Sequence, residues 1–95
     1  MGRLPEAETS CRQALKINPY LAEAHNNLGN TLQEQGRLSE AEASYRRALE
    51  IKPNFAEVHN NLGNTLQKQG RRSEAEACVR RALEIKQNFA EAHTS

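Results

Sequence analysis

Apolar residues along this chain fall into two alternating helical patterns, and the pair of patterns returns every 34 residues. In the first pattern Ala24, Leu28 and Leu32 stand at i, i+4 and i+8, one apolar stripe on a helix predicted over 22–35, and 56–69 repeats it. Gly36 and Gly70 follow these segments and suit the left-handed position just past a helix end. The second pattern carries Ala41, Tyr45, Ala48 and Leu49, then Ala75, Val79, Ala82 and Leu83. It is predicted to begin at Ser39 or Ser73, each opening a capping box with Glu42 or Glu76, and to run to about Lys52 or Lys86. Pro53 blocks continuation, because the residue before a proline is pushed out of the α region. Asn54 and Asn88 are then placed to cap the next helix of the first type.

The repetition is close. Gly2, Gly36 and Gly70 are 34 residues apart, as are Ala7, Ala41 and Ala75, Ala14, Ala48 and Ala82, Ile17, Ile51 and Ile85, and His25, His59 and His93. Residues 22–55 and 56–89 differ at six positions: Ala24/Val58, Glu34/Lys68, Leu38/Arg72, Ser44/Cys78, Tyr45/Val79 and Pro53/Gln87. A two-helix unit cannot hide its apolar stripe alone, but stacked copies cover one another. The expected fold class is therefore all-α, a stack of antiparallel helix pairs. Its units are a partial repeat over 1–19, full repeats over 20–53 and 54–87, and the start of another over 88–95. Gly29 and Gly63 are expected where helices approach closely, with Ala41, Ala48, Ala75 and Ala82 keeping the facing surface flat.

Composition agrees with a stack rather than one deep core. The chain has 95 residues, 37% hydrophobic and 4% aromatic, with no Trp. Thirteen basic and twelve acidic residues leave a net charge of +1, and Arg46, Arg47, Arg80 and Arg81 interleave with Glu42, Glu50, Glu76 and Glu84. That pattern is a solvated helix face, not the basic surface of a nucleic-acid binder. Cys11 and Cys78 form no CxxC pair, and distant thiols in an elongated stack point to a reducing, cytoplasmic setting. No apolar run is long enough to span a membrane.

On these residues the chain resembles the tetratricopeptide repeat family, whose pattern has the same period. Leu28, Gly29, Ala41, Tyr45 and Pro53 meet it in one unit, and Leu62, Gly63 and Ala75 in the next. His25 and His59 stand where the family often has Trp, and Leu32 and Leu66 where it often has Tyr. Cys11 and Val79 replace a large aromatic, and Gln87 replaces the closing Pro, so looser packing is expected around Cys11 and Val79 than around Tyr45. The Asn-Asn-Leu-Gly-Asn stretch is similar to repeats of bacterial tetratricopeptide proteins and of O-linked N-acetylglucosamine transferases.

The resemblance implies a right-handed superhelix whose first-type helices line a concave groove for an extended peptide. The candidate contacts are Glu23, Asn26, Asn27, Asn30, Gln33 and Glu34, then Glu57, Asn60, Asn61, Asn64, Gln67 and Lys68. Asn27 and Asn61 match a position where family members align asparagines against a ligand's backbone. A carboxamide both donates and accepts, so it satisfies a peptide backbone without reading its side chains. Asn30 and Asn64 have an alternative use as braces between helices. The cationic groove that grips a C-terminal carboxylate in some relatives is missing, since Glu23, Asn26, Glu57, Asn60 and Asn61 stand there.

Catalysis, metals and cofactors are not expected. Counterpart atoms in stacked helix pairs lie on the order of 10 Å apart, too far for His25, His59 and His93 to share an ion, so these residues are expected to pack. There is no phosphate loop and no nucleophile–base set. Cys78 is expected to be the more exposed thiol. The sequence begins within a second-type helix and stops within a first-type one, which suggests either head-to-tail self-association of residues 90–95 with the 5–18 helix of another molecule or a weakly stable monomer frayed at both ends. The expected role is a protein-interaction module. The alternatives are a structural or self-assembling array, natural or engineered, and an accessory segment of a larger enzyme such as a glycosyltransferase.

Overall fold

A computed structural model of the chain describes residues 3–94, with side chains over residues 6–88. The expectations placed on Gly2, on the side chains of Phe89, Ala90, Glu91 and His93, and on a head-to-tail contact through residues 90–95 lie outside what is described. Helices α1 (Arg3–Ile17), α2 (Ala22–Glu34), α3 (Leu38–Ile51), α4 (Ala56–Lys68) and α5 (Arg72–Thr94) follow in order, with no strand among the described residues. They make an elongated body of 45 × 32 × 22 Å, each helix packed on the next. None is long and apolar enough to cross a membrane.

The helix stops fall where the glycines predict. Gly36 and Gly70 have φ of 79° and 80°, the left-handed region that costs glycine no steric penalty. Arg37 N–H reaches Leu32 C=O at 2.9 Å and Gly36 N–H reaches Gln33 C=O at 3.0 Å; Arg71, Leu66, Gly70 and Gln67 repeat both bonds at the same distances. This pair of bonds closes the last turn and satisfies its carbonyls.

The helix starts differ from expectation. The capping boxes at Ser39 and Ser73 do not form, because Arg37 and Arg71 accept at once from Ala41 N–H and Ala75 N–H, both at 3.0 Å. One residue thus ends a helix and begins the next, leaving Ser39 and Ser73 already inside α3 and α5. Phe55, not Asn54, occupies the cap of α4, with no side-chain cap bond. At Asn88 no new helix begins: α5 runs unbroken from Arg72 to Thr94. Gln87 stands where Pro53 ends α3, and it brings an N–H and no ring to clash with the preceding turn.

Leu28, Leu32, Ala41, Tyr45, Ala48, Val58, Leu62, Leu66 and Ala75 form one continuous core, with Cys11, Leu15, Leu49, Phe55 and Cys78 packed against it. Tyr45 is 0% exposed, whereas Val79, its counterpart, is 41% exposed because no helix among the described residues lies over that side of α5. Cys78 is not the more exposed thiol. Both cysteines are half-buried, and burial pushes both thiols up from their ordinary pKa. The two helical glycines also differ. A Cβ on Gly29 would lie 2.6 Å from the Tyr45 ring, while one on Gly63 would lie 3.2 Å from the Ala75 carbonyl oxygen.

Candidate functional site

The polar faces of α2 and α4 lie side by side, and two shallow depressions run between them. One, of about 200 Å³, is lined by Asn30, Gln33, Glu34, Asn61 and Lys68. The other, of about 380 Å³, is lined by Gln33, Asn64, Gln67 and Lys68. Gln33 and Lys68 belong to both, so the two form one groove.

A buried polar network builds the floor of this groove. The Tyr45 hydroxyl lies 2.5 Å from Asn30 Oδ1, to which it donates, and 3.2 Å from Gln33 Oε1. Thr65 Oγ1 donates to Gln33 Oε1 at 2.6 Å, tying α4 to α2. Burial and the nearby Glu34 carboxylate push the Tyr45 phenol up to about 12, so it stays a donor throughout the neutral range. These hydroxyls occupy the carboxamide oxygens of Asn30 and Gln33. The amide nitrogens of both side chains have no partner among the described residues.

Asn61 adds a second brace. Its Nδ2 donates to Asn26 Oδ1 across 3.0 Å, and Asn26 is only 4% exposed. Asn26 was expected as a groove contact and is instead an inter-repeat strut. Its place on the helix turns it toward α4, a difference that two adjacent asparagines cannot reveal in sequence. Asn61 Oδ1 remains an unpaired acceptor at the edge of the groove.

Of the residues expected here, Asn30, Gln33, Asn61, Asn64 and Gln67 come together. Glu23, Asn27 and Glu57 are exposed but line neither depression, and Asn60 is half-buried outside both. Asn30 does brace the stack, through Tyr45, whereas Asn64 is exposed in the groove. The Tyr45 and Thr65 hydroxyls had no signal in the apolar pattern that contains Tyr45. Glu34 and Lys68, one of the six positions where the repeats differ, give the groove one charge of each sign.

The histidines serve the turns between repeats. His25 Nε2 lies 3.0 Å from Pro19 O, and His59 Nε2 lies 3.0 Å from Pro53 O. Each ring thereby holds a carbonyl of the turn that follows the preceding helix. No three His, Cys, Asp or Glu side chains gather as metal ligands among the described residues.

Between successive repeats, one ionic clamp recurs. Glu8 accepts from Arg12 and Arg37, each at 2.9 Å. Glu42, 34 residues on, accepts from Arg46 at 2.9 Å and Arg71 at 2.7 Å. The Arg12 guanidinium, helped by Arg37 and Gln35, holds the Glu8 carboxyl below the usual carboxylate range. Partial burial alone would raise Glu42, but the bonds from Arg46 and Arg71 outweigh it and hold it low as well.

Known proteins share this organisation. The profile of the TPR repeat matches residues 1–36 and 30–70, and that of the tetratricopeptide repeat matches 56–89. A crystal structure of MamA superimposes with a TM-score of 0.90 at 26% identity, covering 94% of this chain and 52% of that one. MamA MSR-1 gives 0.85 at 25% identity over 92% and 50%, and MamA AMB-1 gives 0.83 at 27% identity over 90% and 47%. The chain thus spans about half the length of the structures it matches. No curated protein matches it in sequence. The architecture is a right-handed superhelical stack of antiparallel helix pairs, which serves in general as a protein-interaction or scaffold module. With its repeats matched by two profiles that together run from residue 1 to residue 89, the chain belongs to the tetratricopeptide repeat family.

Proposed function

We propose that the groove between α2 and α4 binds an extended peptide through its backbone. The observation that carries this reading is the division of hydrogen-bonding groups along the groove. Asn30 and Gln33 spend their oxygens on Tyr45 and Thr65 and keep amide donors, whereas Asn61 spends its donor on Asn26 and keeps an oxygen. A peptide group needs one of each. Because the floor is already bonded, these carboxamides lose little freedom on binding, and that lowers the entropic cost of association. Lys68 and Glu34 add one cation and one anion at the centre, which fits a segment of mixed charge better than a uniformly acidic tail.

An array of overlapping peptides, probed with the intact chain, tests this. Bound peptides are expected to keep their affinity when side chains are permuted, and to weaken at least about tenfold when a backbone N–H is replaced by an ester oxygen opposite Asn61. Asn27→Ala combined with Asn61→Ala should reduce binding through Asn61 alone, so Asn27→Ala by itself leaves it unchanged. Binding that tracks side-chain order and ignores the ester would rule the backbone mode out.

A further inference from the structure

The open side of α5 carries a second surface, which meets the groove at Gln67. A depression of about 440 Å³ runs along it, floored by Ala75, Val79 and Leu83 and bordered by Gln67, Glu76 and Arg80. Val79 is 41% and Leu83 60% exposed. Their counterparts one repeat earlier show what such a surface accepts. Ala41 and Tyr45 are 0% exposed and Leu49 packs against the core, because α4 lies over that side of α3. A helix that runs antiparallel is therefore the shape this face fits.

Charge narrows the occupant. At successive four-residue steps α5 carries Arg72, Glu76, Arg80 and Glu84, an alternation of plus and minus. Read against itself in the reverse direction, this order sets each cation opposite an anion; read in the same direction, it sets like on like. The two central charges, Glu76 and Arg80, are also uncommitted, whereas Glu84 lies 3.7 Å from Arg81 on its own helix. Glu8 and Glu42, the counterparts of Glu76, each hold two arginines. Arg46, the counterpart of Arg80, bonds Glu42 at 2.9 Å. Neither Glu76 nor Arg80 forms an ion pair among the described residues.

We propose that this face pairs with the same face of a second copy of the chain, α5 against α5 in antiparallel register about a two-fold axis near Val79. Glu76 then meets the partner's Arg80, Arg80 meets the partner's Glu76, and Val79 and Leu83 leave water. The contact is self-complementary and closes at two molecules, so it yields a dimer and not the open chain that a head-to-tail contact would build. A single helix pair falls at the small end of protein interfaces, below about 1,200 Å² in total. The dimer is accordingly weak and concentration-dependent. Only Gln67 borders both this face and the α2–α4 groove; Asn30, Gln33 and Asn61 lie outside the contact.

Sedimentation velocity over a concentration series tests the pairing. The chain is expected to pass from 10.7 kDa to twice that mass as concentration rises. Glu76→Arg and Arg80→Glu, both at exposed positions, should each weaken the dimer at least about tenfold by facing like charges. Helicity by circular dichroism should stay unchanged. Mixing the two single variants should restore a dimer, now of unlike chains, and combining both changes in one chain should restore it as well. A single-chain mass at every concentration would overturn the proposal. So would masses that climb past two chains, or a mixture of the single variants that stays monomeric.

Discussion

Gly29 and Tyr45 face each other so closely that a Cβ on the glycine would sit 2.6 Å from Cε1 of the ring. The ring has no room to retreat. It is fully buried, and its hydroxyl is fixed on Asn30 and Gln33.

Gly29→Ala should therefore destabilise the stack by about 1–3 kcal/mol through overpacking, despite alanine's better helix propensity. Gly63→Ala should cost less, because the nearest atom there lies at 3.2 Å and the neighbouring side chain is Val79. Urea unfolding followed by circular dichroism checks the order. Measured in a Tyr45→Val background, itself destabilised by the lost ring, Gly29→Ala should cost less than it does beside Tyr45, since the site then resembles Gly63 beside Val79.

Much of this fold could be read from the sequence, and the exceptions share a cause. The 34-residue spacing, the apolar stripes and the two glycine stops depend on local geometry, and they appear where the pattern puts them. The capping boxes failed because Arg37 and Arg71, just past the preceding helices, already start α3 and α5 two residues before the serines. Glu42 in addition answers to Arg71 of the next repeat. The same holds in the groove. Asn26 and Asn27 are adjacent and identical, and only the presence of Asn61 on α4 makes one a buried strut and leaves the other exposed. Periodicity also could not show that Tyr45, an apolar-stripe residue, sets which end of the Asn30 carboxamide is left free. The unbroken α5 was within reach of local reasoning, since Gln87 lacks the ring that makes Pro53 a stop.

Acid should loosen the stack through the repeated clamp. Glu42 is held below the usual carboxylate range by arginine bonds that outweigh the opposing effect of burial. A carboxyl lowered on folding contributes stability that is complete above its unfolded pKa and is lost as pH falls through the lower folded value. The urea midpoint is thus expected to drop as pH is taken from about 5 towards 3. Glu42→Gln should start lower at neutral pH and lose less over that range, and added salt should narrow the difference. An unchanged pH profile in Glu42→Gln would remove the clamp from the account.

Restoring proline at the second junction should split α5. Gln87→Pro removes one intrahelical N–H and sets a ring against the preceding turn, at a cost of about 3 kcal/mol to a continuous helix. Amide hydrogen exchange should then speed up around residue 87 and leave Arg72–Leu83 as protected as before. An exchange profile around residue 87 that the substitution leaves unchanged would mean that α5 is not held as one helix there.

The groove reading is tested most directly by a nuclear magnetic resonance titration of the side-chain amide groups with a peptide selected from the array. The NH2 resonances of Asn30, Gln33, Asn64 and Gln67 are expected to shift together and saturably, while that of Asn26 and the backbone amides of α3 stay in place. Shifts confined to α3 and α5, with these carboxamides unmoved, would contradict it.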